Sequence, residues 1–216
     1  MSAPARAFTV RHVQIVRALF AAVAAIMITF STDHSSGVGL AVFSGFALTT
    51  ALVLALSAWL VLPARSRWPY VLLAAVGFVT GMAAGVPAWR TDDLYFVVVV
   101  AWALGTGVVE LIAGLRARGT GSPTARDAIT VGALGILLGA ALLAIPAGFS
   151  QAYAIKGAGA FELTGIILGV GFFGGYAAIV AVFLGIAGLT PKTADAVAAG
   201  SAQDLPATGH ARPGER

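Results

Sequence analysis

Arg17 and Glu110 are the residues of this chain best placed to do chemistry, because each is an ionisable group inside an apolar run. Glu110 lies in residues 94–118, LYFVVVVAWALGTGVVELIAGLRAR, five residues inside Leu115, where the apolar run ends, and six before Arg116. At about 1.5 Å per residue, five residues put it roughly 8 Å inside the basic end of a helix. Arg17 lies about four residues into the first apolar run, counted from the basic N-terminal side, so the two depths agree to within about one helical turn. A charge at such a depth is costly unless it is paired, protonated or able to reach the interface with its side chain. Three chemistries stay open on sequence alone. The pair is a structural tether between two helices, or two unrelated residues each reaching the interface, or a proton relay or substrate site.

Other chemistry-bearing residues form no recognisable centre. Cysteine is absent, which removes thiolate ligands, disulfides and a cysteine nucleophile. His12, His34 and His210 are far apart and fall in three contexts, so no metal site is expected from them. His34, beside Asp33 in STDHSSG, reads as part of a solvated turn, with a pH-sensing role as the alternative. Gly169, Gly171 and Gly174 match the letters GxGxxG, but they sit inside an apolar run and not at a strand-to-helix turn, so no nucleotide or other cofactor is implied. The metalloprotease HExxH, the GxSxG elbow and the P-loop are all missing.

The surrounding composition is that of a membrane protein. Of 216 residues, 59% are hydrophobic and 10% are charged, against about 25% charged in a soluble domain. A hydrocarbon core about 30 Å thick takes roughly 20 apolar residues of helix. Six runs fit that length, at about 13–30, 38–62, 69–89, 94–115, 128–149 and 163–189. The expected fold class is therefore all-α and polytopic, with six transmembrane helices. Residues 1–12 are expected to form a cytoplasmic N-terminus, 13–189 the membrane domain and 190–216 a tail. The first run is expected to remain as a helix and not to be a cleaved leader, since Arg17 interrupts it. Tyr95 is expected at headgroup level. The tail is rich in Ala, Gly and Pro and lacks aromatics, so disorder is expected there. The connection 150–162 holds Tyr153 and Phe161 and is expected to lie at the interface as a short helix or to re-enter the membrane slightly.

Basic residues alternate between connections. Arg6, Arg11, Arg17, Arg65, Arg67, Arg116, Arg118, Arg126, Lys192, Arg212 and Arg216 fall on one side, and only Arg90 and Lys156 on the other. By the positive-inside rule both termini are then cytoplasmic. An odd number of spans would break the alternation. The net charge of +4 comes from residues flanking apolar runs, so it marks topology and not nucleic-acid binding. The expected partner is the lipid bilayer.

Glycines at four-residue spacing let helices approach closely where lipid offers no hydrophobic driving force. Such rows are Gly77, Gly81 and Gly85 in the third run, Gly135 and Gly139 in the fifth, and Gly165 with Gly169 and Gly171 with Gly175 in the sixth. They read as packing seams within the bundle, with the seam of a homo-oligomer or larger membrane complex as the alternative. The third and fifth runs share glycine spacing and a late proline, Pro87 and Pro146. That similarity suggests three helical hairpins repeated about an axis along the membrane normal, although the first hairpin carries neither feature.

With these features the chain resembles the HdeD-like acid-resistance membrane protein family. The resemblance rests on the six spans, on Arg17 early in the first, on the proline-ended odd spans GVPAW and AIPAG, and on WALGTGVVELIAGLRAR in the fourth. It covers roughly residues 11–189. It implies a bacterial inner-membrane protein linked to acid or envelope stress, with no established chemistry. The expected function is accordingly non-enzymatic support of envelope integrity or stress resistance, as an accessory subunit of a membrane complex. The alternative is a small transporter or proton-coupled permease, for which Thr49, Thr50, Thr80 and Thr106 are the modest mid-span candidates. A lipid-modifying enzyme ranks below both, since no nucleophile or acid–base set stands out.

Overall fold

The structure is a computed structural model, and it describes residues 9–62, 67–119, 124–146, 148–157 and 159–190. Arg6, Arg65 and the expected tail, with Lys192, His210, Arg212 and Arg216, lie outside the described residues. Among the described residues six helices are each long and apolar enough to span a membrane. They are α1 (Val10–Phe30), α2 (Ser36–Leu60), α3 (Trp68–Gly85), α4 (Asp92–Arg118), α5 (Ala125–Leu143) and α6 (Gly165–Leu189). The chain is an all-α, six-helix membrane protein.

Local chemistry sets the helix ends. Thr9 and His12 close a capping box at the start of α1, where the Thr9 N–H donates to His12 Nδ1 at 3.2 Å. The Thr91 hydroxyl accepts from the Leu94 N–H at 3.1 Å and starts α4. Asp92 and Asp93 then occupy the first turn and Arg116 and Arg118 the last, which complements the helix dipole at both ends. Both odd spans with a late proline end earlier than expected. Helix α3 stops at Gly85, and Pro87–Trp89 continues as a single 3-10 turn. Helix α5 stops at Leu143, three residues before Pro146. Proline cannot donate to the helix ladder, and it disfavours helical backbone in the residue before it.

The connection between α5 and α6 is neither a short helix nor a re-entrant loop. It is an antiparallel hairpin of β1 (Ser150–Ile155) and β2 (Gly159–Thr164), in register from Ser150↔Thr164 to Ile155↔Gly159. Its turn depends on Gly157 and Gly159, at φ +87° and +100°, where a side chain would be strained. Tyr153 and Phe161 pair across the strands with stacked rings, 5.8 Å between centroids. A cross-strand aromatic pair is the kind of contact that holds a two-stranded ribbon otherwise marginal in water.

The helices close into a ring in chain order, with α6 packed against α1. The most extensive packing is within α4–α5, α1–α6 and α2–α3, and each intervening contact is smaller. The close pairs are thus the even helix with the following odd one, and the third pair runs through α6 and α1. The sequential hairpins α1–α2, α3–α4 and α5–α6 also pack, less extensively. The even helices carry the aromatic core. Phe43 and Phe46 of α2, Trp102 of α4, and Phe173 and Tyr176 of α6 meet edge to face, with centroids 5.4 to 6.3 Å apart. Such contacts add about 0.5–1.5 kcal/mol per pair beyond the area they bury.

Small residues make the close pairs possible. A Cβ built on Gly77 would lie 3.2 Å from Ala47 O, and one on Gly81 would lie 2.8 Å from Leu48 Cγ, both on α2. Gly85 faces the Ser44 hydroxyl of α2, which donates to Gly81 O at 2.8 Å. Gly135 and Gly139 face Ala103, Gly107 and Leu104 of α4. Gly165 meets Ile145, and Gly169 meets Tyr95 and Phe96. Gly171 and Gly175 depart from the packing expectation, since a Cβ on either would meet nothing within 4 Å. They face out of the bundle.

Candidate functional site

Arg17 of α1 and Glu110 of α4 come together although α1 and α4 are not neighbours in the ring. The Arg17 Nη2–H donates to Glu110 Oε1 at 2.6 Å. Glu110 is 6% exposed, and Arg17 reaches it across the interior near the end of the bundle where α1 begins. The length of the arginine side chain makes this possible, because it carries charge and donors well beyond its own helix surface. A paired guanidinium and carboxylate lower one another's cost in a low-dielectric interior, and removing either strands the other.

Gln14 extends the cluster. It stands three residues before Arg17, on the same face of α1, and is buried. Its Nε2–H donates to Asp127 Oδ2 at 2.6 Å, in the first turn of α5. One face of α1 therefore grips α4 and α5 together. Gln14 and Asp127 are functional candidates that the depth argument did not find. The signal present in sequence was a Gln-x-x-Arg pair on one helical face, with a second acid at the matching end of α5. The same end also carries Arg11, whose Nε–H donates to Gly188 O at 2.6 Å and so satisfies a carbonyl left over at the end of α6. Arg116 does not approach Glu110. Its guanidinium lies over the Trp68 ring of α3, 5.4 Å from the centroid.

The four threonines behave differently from one another. Thr49, Thr80 and Thr106 donate to the carbonyls of Gly45, Val76 and Trp102 in their own helices, each at 2.7 Å. Thr50 is buried and its Oγ1 has no partner among the described residues. Thr50 and Thr106 are brought to Arg17 and Glu110 around a small cavity, with Trp102, Phe46 and Tyr176 among its walls and about 20 Å3 open to the centre of a water molecule. A second cavity, of about 70 Å3, lies on the other side of the ion pair against Gln14, Tyr70, Thr124 and Asp127.

At the opposite end Tyr95 lies in the first turn of α4. Its ring is wholly buried in the bundle, and its hydroxyl donates to Gly169 O at 2.9 Å. Gly169 lacks a side chain at that contact, which lets the ring reach the α6 backbone. Gly169, Gly171 and Gly174 all lie inside α6, past its first turn and not at its junction with β2, and Gly174 packs on Ile28 of α1. Gly169 and Gly174 therefore serve helix packing, while Gly171 faces out of the bundle. Among the described residues no three His, Asp or Glu side chains gather as metal ligands.

The fold and this cluster define a multi-pass integral membrane protein with a buried ion pair that joins non-adjacent helices. No family model matches the chain, and neither a curated protein nor a solved structure matches it.

Proposed function

We propose that the protein is a non-enzymatic component of a bacterial plasma membrane that supports envelope integrity under acid or related stress. Both termini are cytoplasmic in this reading, and the protein acts as an accessory subunit of a membrane complex. The observation that carries it is how the polar groups of the spans are used. Arg17, Gln14, Ser44 and Tyr95 each join one helix to another, while the aromatic cluster fills the centre where a translocation path would run. The likeness in pattern to the HdeD-like family points the same way. A permease is the second reading, favoured by the two cavities that adjoin Glu110.

Deletion and complementation in the source bacterium test the first reading, with purified protein in liposomes as the companion measurement. Loss of the gene is expected to lower survival after acid challenge. Wild-type protein restores survival, and Glu110→Gln restores it in proportion to its folded abundance. Proteoliposomes are expected to pass protons no faster than empty vesicles. Proton flux that is lost in Glu110→Gln at normal abundance would replace this reading with the permease.

A further inference from the structure

We infer that the Arg17–Glu110 pair is the centre of a buried water-binding site, hydrated on both sides and reached from the basic end of the bundle only. Two buried polar atoms without protein partners, one on each side of the pair, carry the inference. Among the described residues Thr50 Oγ1 and Gln14 Oε1 both lack a hydrogen-bond partner. Their residues are 8% and 6% exposed. Leaving such an atom dry costs about 1–3 kcal/mol, and buried polar atoms in folded proteins are almost always satisfied by protein or ordered water.

Thr50 is informative because of its neighbours. Thr49, Thr80, Thr106 and Ser57 turn their hydroxyls back onto a carbonyl four residues earlier. That bond is available to a helical threonine in its own helix. The Thr50 hydroxyl does not make it, and its residue lines the same cavity as Glu110. Among the described residues Glu110 accepts one hydrogen bond, through Oε1. Thr50, Glu110 and Arg17 all line this cavity, so a water held in it has these three polar residues as its candidate partners. A cavity needs about 10–15 Å3 open to water centres and two to four polar partners to hold a water. The cavity on the Thr50 side has about 20 Å3, room for one. The cavity on the Gln14 side has about 70 Å3, room for more than one, with Asp127 and Tyr70 among its walls.

The two cavities share Arg17, Glu110, Leu73 and Leu184 as walls, so the ion pair stands between them. Beyond Thr50 the path ends at Phe46 and Trp102 in the aromatic cluster. Water, and any proton it carries, therefore reaches Glu110 from one side of the membrane and goes no further. The inference goes beyond the proposed function and does not depend on it.

Two measurements on the full chain in lipid test it. The first is the thermal stability of Thr50→Val against Thr49→Val, which removes only a hydroxyl bonded within its own helix. If water bridges Thr50 and Glu110, Thr50→Val lowers Tm below both wild type and Thr49→Val by about 2 to 4 °C, the shift for one net hydrogen bond in a chain of this size. If the cavity is dry, valine removes an unsatisfied hydroxyl, and Tm stays unchanged or rises. The second is water-edited solid-state NMR of the wild-type protein. Magnetisation is expected to pass from water to the Thr50 and Gln14 side chains at mixing times that leave the enclosed Ala103 dark. An unchanged or raised Tm for Thr50→Val, or no transfer to either side chain, overturns the inference.

Discussion

At the scale of single residues, the ion pair joins helices that do not pack extensively on one another, so its energy should be separable from packing. A lone charge left in the interior is the main cost of breaking it. Glu110→Gln and Arg17→Gln are each expected to destabilise the bundle by about 1 to 3 kcal/mol. The double variant should cost less than the sum of the singles, because the second substitution removes the charge that the first one stranded. Unfolding in mixed detergent would measure the cycle, and strictly additive losses would mean that the two residues are not coupled. Matched depth made this pair legible in the sequence, since each residue could be counted from a basic helix end. The Gln14–Asp127 bond was not legible in the same way. Asp127 sits in the first turn of α5, just outside the apolar run expected at 128–149, and nothing in the sequence says that α1 faces α5 across the interior.

At the scale of elements, glycine rows announce that a helix face is approached closely without saying by what. Gly77 and Gly81 pack on α2 and Gly135 and Gly139 on α4, as bundle seams do, while Gly171 and Gly175 have the same spacing and face open space. Gly107, Gly114 and Gly132 pack as tightly as any of these, but their spacings of seven and three residues escape a search for steps of four. The contrast is measurable. A Cβ on Gly132 would lie 2.5 Å from Leu111 N and 2.7 Å from Gly107 O, and backbone cannot move aside cheaply. Gly132→Ala is therefore expected to lose about 1–3 kcal/mol by overpacking. Gly175→Ala has free space and gains helix propensity, so its stability should hold or rise by up to about 1 kcal/mol. A clear loss in Gly175→Ala, with a change in oligomeric size, would mean that a second copy packs on this face. The hairpin β1–β2 escaped the sequence reading for another reason. Six-residue strands with one aromatic each give too short an alternation to be told from an amphipathic turn of helix.

At the scale of the whole molecule, the ring brings the basic residues to one end by independent contacts. Arg11 at the start of α1 binds the end of α6, Gln14 binds the start of α5, and Arg116 at the end of α4 covers Trp68 at the start of α3. Arg11, Arg17, Arg67, Arg116, Arg118 and Arg126 therefore share an end, and Asp33, Asp92, Asp93 and Glu162 share the other with Arg90 and Lys156. Alternation of charge along the sequence foretold this division, because each span reverses direction and loops are short. What the sequence did not foretell is the pairing around the ring, where α6 closes on α1 and the even helices hold the aromatic centre. The basic end should face the cytoplasm, since flanking Lys and Arg resist translocation. The absence of cysteine lets single labels test this without background. Thr32 in the α1–α2 connection and Gly119 just past α4 are both exposed and lie at opposite ends. With a membrane-impermeant maleimide on intact cells, Thr32→Cys is expected to label at once and Gly119→Cys only after lysis. The reverse pattern would invert the protein in the membrane. The cavity beside Gln14 and the carboxylate of Glu110 would then open toward the outside, and a water port for cytoplasmic protons would become one for external acid.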